Sequence, residues 1–130
     1  MLKTKQEFVN KIHLIISVFI VVPVSFVYGF NPDSQFDIHL NTVDELNFFK
    51  AIMGLYIGFS TIWISGIFKT NFLKTALITN IVFMLGLGLG RVLSLVLDGI
   101  PTFPLIFGAV GELTLGLYGV WVLNKYNKKP

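Results

Sequence analysis

Chemistry in this chain gathers around its one arginine. Arg91 follows a run of glycines in the segment GLGLGRVLSLVLDG, residues 86–99. At about 100° per residue on a helix, Ser94 and Asp98 share the face of Arg91, and Asn80 nearly eclipses it from below. A guanidinium is a planar fork of donors that stays charged and matches carboxylate, phosphate and carbonyl acceptors. Glu112 is the clearest candidate partner, and Lys50 and Tyr56 are the other groups that could join a polar network. A nucleotide loop is a poor reading of the glycines. The dinucleotide fingerprint needs G-x-G-x-x-G between a strand and a helix, whereas this segment has the wrong final spacing and apolar residues ahead of it.

The elements that must position these residues follow from the charge pattern. The chain has 130 residues, of which 54% are hydrophobic and only 13% charged. Ile12–Pro32, Ala51–Phe68 and Thr75–Gly90 contain no Asp, Glu, Lys or Arg. A membrane span needs roughly 20 mostly apolar residues, so these runs predict an all-α integral membrane four-helix bundle. Its helices fall at about 11–30, 47–68, 75–97 and 104–124, in one domain over residues 1–130. The first run is longer than a signal-peptide core and lacks an A-x-A-like site, so it reads as a retained span. Thr42 and Glu45 have capping-box spacing before the second helix. Asp98-Gly99-Ile100-Pro101 is a turn signal, and Pro104 suits a first helical turn. The segment of about 31–46 reads more simply as a loose connector than as a loop folded over the bundle.

Basic residues sort by loop. Lys3, Lys5 and Lys11 precede the first span, Lys69 and Lys74 separate the second and third, and Lys125, Lys128 and Lys129 follow the fourth. The other two loops have no Lys or Arg, and Asp33, Asp37, Asp44 and Glu45 lie in or beside the first of them. The positive-inside rule then places both termini in the cytoplasm of a multi-pass inner-membrane protein. Net charge is only +3 and dispersed, which does not suit nucleic acid. Without cysteine there is neither thiolate chemistry nor a disulfide. His13 and His39 fall on opposite sides of the predicted membrane, so no shared metal site and no cofactor is expected; His13 reads as an interfacial residue.

Depth connects Arg91 to Glu112. At about 1.5 Å per residue, Arg91 lies about 9 Å from the outer end of the third helix and Glu112 about 12 Å into the fourth. An unpaired arginine in hydrocarbon costs at least about 2.5–3.5 kcal/mol, which favours pairing inside the bundle. Lys50 near the outer end can snorkel or meet Asp98 or Glu45. Lys50, Arg91, Asp98 and Glu112 would sum to zero charge in the outer half. Small residues four apart let membrane helices approach. The candidate packing positions are Gly54 and Gly58, Gly86 and Gly90, and Gly108 and Gly116. Tyr56, Trp63, Tyr118 and Trp121 read as packing, lipid-facing or interfacial aromatics.

The pattern from Glu45, Asn47, Lys50, Gly54 and Tyr56 through Gly86, Gly90, Arg91, Ser94, Asp98, Gly99 and Pro101 to Glu112 resembles a bacterial family of small four-helix integral membrane proteins. That domain family has no assigned function and is loosely similar to DoxX-like membrane proteins. The resemblance spans roughly residues 8–125. It implies the fold and brings no activity. Arginine is common there where this chain has Lys50, and the change keeps charge while losing the bidentate fork.

Four uses of the polar set remain open on sequence. Arg91–Glu112 can be a purely structural pair, for example in an accessory subunit of a larger membrane complex. It can receive a small or lipidic ligand or a membrane partner at Arg91, with Lys50, Asp98 and Tyr56 at the mouth. It can serve a lipid- or quinone-directed enzyme, or a proton or ion path through an oligomer of this chain, although no nucleophile–base constellation is visible.

Overall fold

The computed structural model describes residues 4–128, and Lys3 and Lys129 of the basic-residue pattern lie outside them. Four helices account for most of the chain: α1 Lys5–Phe30, α2 Val43–Phe68, α3 Thr70–Leu97 and α4 Phe103–Asn127. A 3-10 turn at Pro32–Ser34 follows α1, and the described residues contain no strand. All four helices are long and apolar enough to cross a membrane. They extend beyond the expected bounds, most at the start of α1, which begins at Lys5 rather than near residue 11. The shortest, α4, has 25 residues. At about 1.5 Å per residue it is about 38 Å long, against about 30 Å of hydrocarbon. The charged ends of the helices therefore reach past the apolar layer.

Local chemistry fixes the helix ends. Thr4 Oγ1 accepts from Glu7 N and starts α1. Thr42 and Glu45 form a reciprocal capping box on α2. Glu45 Oε2 also accepts from Asn41 N at 2.6 Å. Glu45 is thereby committed to the cap rather than to Lys50. Gly99 has a positive φ of 108°. It takes the left-handed turn after α3 that a β-carbon would oppose. Pro104 lies in the first turn of α4. Buried Lys11 donates to Ile67 O at the end of α2 and Lys50 to Gly29 O at the end of α1. Each lysine places a cation on a helix C-terminus.

Successive helices pack antiparallel, α1 on α2, α2 on α3 and α3 on α4. The ends of the bundle are called terminal, where both chain termini lie, and distal, where residues 31–42 and 98–102 lie. In the terminal half the helices close tightly. A β-carbon on Gly66 would strike Ala76, and one on Gly119 would come within 2.9 Å of Ile81 and 3.4 Å of His13. Tyr118 reaches from α4 to α1, where its hydroxyl donates to Val9 O at 2.7 Å. Trp63, Leu14, Leu77 and Val122 fill this core. His13 belongs to it too, at 1% exposure, which corrects its reading as an interfacial residue. Its nearby marker of the membrane boundary, Lys11, is itself buried. The ring nitrogens of His13, the amide of Asn80 and Trp63 Nε1 have no hydrogen-bond partner among the described residues. Outward the bundle presents Phe19, Val82, Val110 and Leu117, the surface a lipid-facing protein needs.

Candidate functional site

The glycines of α3 and α4 have two distinct uses. Gly88 lies against Leu113 and Gly116 against Leu85, so each helix seats a leucine of the other on a glycine. A β-carbon at either glycine would come within 2.6 Å of the leucine, which fixes a close approach of the two backbones. One turn further toward the distal end stand Arg91 and Glu112. Arg91 Nε donates to both carboxylate oxygens, at 3.0 and 2.8 Å. Arg91 Nη2 donates to Tyr28 OH at 3.0 Å, which brings α1 into the same network. The pair is largely enclosed, with side chains 22% and 14% exposed.

An aromatic wall holds Tyr28. Its ring meets Tyr56 edge-on at 5.6 Å, Phe49 at 6.4 Å and Phe36 at 5.2 Å. Phe36 comes from the 31–42 segment, which therefore folds back onto the bundle instead of running as a loose connector. Tyr56 in turn packs on Phe83 of α3 at 5.0 Å. Both tyrosines are buried.

Beside the pair is a cavity of about 410 Å³. Tyr28, Tyr56, Arg91 and Ser94 supply its polar lining; Ile38, Leu87 and Leu105 are among its apolar walls. Gly86 and Gly90 also line it, and a β-carbon on either would meet nothing within 4 Å. These two glycines make room rather than contact. A smaller space of about 110 Å³ lies on the other side of Arg91, between α1 and α4, with Glu112 in its wall. Ligand cavities are commonly mostly apolar with a few fixed polar groups, and the larger space has that composition.

The structure separates several residues that the sequence groups together. Lys50 turns to Gly29 O, 3.1 Å away, and over the Phe30 ring, and it lines neither cavity. Asp98 is exposed and accepts from Ser94 Oγ at 2.8 Å, so it too stands apart from Arg91. The four-charge cluster is thus a two-charge pair, because the backbone carbonyls ending α1 already satisfy the lysine. Gly54 and Gly58 face outward with open space around them. On the same face Thr61 and Ser65 turn their hydroxyls back onto carbonyls of their own helix. Gly108 meets only Glu112 Oε1, 4.0 Å from a β-carbon position, and of the six glycines chosen for packing Gly116 is the one in tight contact. Tyr28 is the participant that sequence reasoning misses as a partner of Arg91. Its signal is its position: a hydroxyl-bearing ring near the distal end of α1, the end toward which Arg91 also lies.

One family model matches this chain, over residues 9–123: Domain of unknown function (DUF4345). No curated protein and no solved structure matches it.

Proposed function

Because the chain belongs to the DUF4345 family, a domain of unknown function, we propose its role from its own geometry: it is a membrane protein that binds a small or lipidic ligand through Arg91. The observation that carries this reading is a fixed arginine with unused donors on the wall of a cavity. Glu112 and Tyr28 hold the guanidinium by Nε and Nη2. A guanidinium has five N–H donors. Both hydrogens of Nη1 and one of Nη2 have no acceptor among the described residues. Arg91 lines the cavity of about 410 Å³. A ligand with an oxygen acceptor would complete the fork. Glu112 orients Arg91 and neutralises it, Tyr28 and Tyr56 form the aromatic side of the site, and Ser94, its hydroxyl given to Asp98, is a further polar part of the lining.

The distribution of lysines supports both termini in the cytoplasm of a bacterial inner membrane, with the site toward the outer leaflet. The likeness to DoxX-like proteins belongs to the same proposal and rests on the residue pattern around Arg91.

The test is cavity filling. Native mass spectrometry of protein released from membranes should find a lipid or small-molecule adduct on the wild type that Gly90→Leu does not retain. Equal retention by the two would show that the cavity is not the binding site.

A further inference from the structure

The space between α1 and α4 bears on how a ligand arrives and of what kind it is. These helices touch at the terminal end, through Tyr118 on Val9 and His13 against Gly119, and part toward the distal end. The space of about 110 Å³ occupies the gap. Its walls include Ile20 of α1 and Phe107 of α4, which are 50% and 69% exposed, so the slot runs out onto the face that lipid covers. Gly111 lines the slot and has open space where a β-carbon would be. Arg91, Tyr28 and Tyr56 line both this slot and the larger cavity, so the guanidinium borders the two spaces together.

Charge selects the head group. Among the described residues, Arg91 and Glu112 are the only charged ones lining the two spaces, and they cancel. An anionic head would have to sit beside the Glu112 carboxylate in a place of low dielectric, which carries a heavy desolvation cost. A neutral carbonyl needs only donors, and Arg91 has them to spare. We infer that the protein takes a neutral, carbonyl-bearing amphiphile (an ester, ketone or amide head on an apolar chain) directly from the bilayer through the slot between α1 and α4, which rests on the ligand-binding reading above.

The experiment uses the full chain in lipid nanodiscs at pH 8 with two photoreactive probes of one chain length. Both carry a diazirine in the tail; one is the methyl ester and the other the free fatty acid. The ester should label α1 and α4 segments around Val24 and Gly111 saturably, and more strongly than the acid does. Gly111→Leu should block that labelling. Glu112→Gln, checked for folding by gel filtration, leaves Arg91 uncompensated and should move the preference toward the free acid by on the order of tenfold or more. A wild-type preference for the acid, or no change in Glu112→Gln, overturns the neutral class. Ester labelling confined to the larger cavity, near Ile38 and Pro101, or undiminished by Gly111→Leu, overturns the lateral route while the binding site stands. Absence of saturable labelling by either probe on folded wild type overturns the ligand-binding reading itself.

Discussion

Two regions of this bundle, the helix–helix contacts and the cavity walls, use the same residue for opposite ends. At the helix contacts, Gly29, Gly66, Gly88, Gly116 and Gly119 are places where a neighbouring side chain or backbone lies too near for a β-carbon. Along the cavity and the slot, Gly86, Gly90 and Gly111 border open space. The first set draws the helices together; the second keeps a cavity clear beside the ion pair. Glycine spacing alone does not separate these uses, since Gly54 and Gly58 carry the familiar four-residue spacing and face outward. What separates them is the neighbour. A leucine on the facing helix at equal depth turns Gly88 and Gly116 into contacts. The large residues near Gly86 and Gly90 instead belong to the far walls of a cavity.

The contrast can be broken most sharply at Gly116. Gly116→Val should force Leu85 aside and part α3 from α4, costing about 3 kcal/mol. Unfolding in bicelles under increasing SDS would measure it, and the loosened contact should also weaken the Arg91–Glu112 bond. Glu112→Leu is expected next, at about 2.5 kcal/mol, because it strands Arg91 in the apolar layer. The double variant Arg91→Leu with Glu112→Leu should recover most of that loss, since removing both charges removes the desolvation cost as well. The same SDS titration, run as a double-mutant cycle, gives the coupling. Tyr28→Phe removes one hydrogen bond to a charged donor and should cost about 1 kcal/mol. Gly90→Leu should change stability least, by under about 0.5 kcal/mol, because the new side chain enters open space. It should nevertheless abolish ligand retention, which makes it the variant that best sets the two regions apart.

Much of the fold is legible in the sequence because charge-free runs in a membrane protein are long and unambiguous. The helix ends are less so. Lys5, Glu7, Asp44 and Lys74 mark where the apolar layer stops, while the backbone hydrogen bonding of α1, α2 and α3 continues through them. The Arg91–Glu112 contact follows from counting residues to the turn on two adjacent antiparallel helices. Lys50 and Asp98 are misplaced by a charge balance reckoned over side chains alone. The carbonyls ending α1 are acceptors too, and one of them holds Lys50. His13 is misread because proximity to Lys11 suggests water, whereas Lys11 is buried to reach the end of α2. The fold of residues 31–42 over Tyr28 depends on where Phe36 lands, and Phe36, Ile38 and Leu40 alternating with polar residues carry no such address.

Because the chain has a single arginine, ligand contact at Arg91 can be measured directly. Protein labelled with ¹⁵N only at arginine gives the guanidinium signals of Arg91 and no other. Solid-state NMR in nanodiscs, with a fatty-acid methyl ester carrying ¹³C at its carbonyl, reads contact between the two. Binding through the free donors predicts a ¹³C–¹⁵N dipolar coupling to the Nη nitrogens and a shift of their resonances, with the Nε signal still that of a carboxylate-bound group. Nη signals unchanged at saturating ester, with no coupling to its carbonyl, would contradict it and leave Arg91–Glu112 as a pair that only holds the helices together.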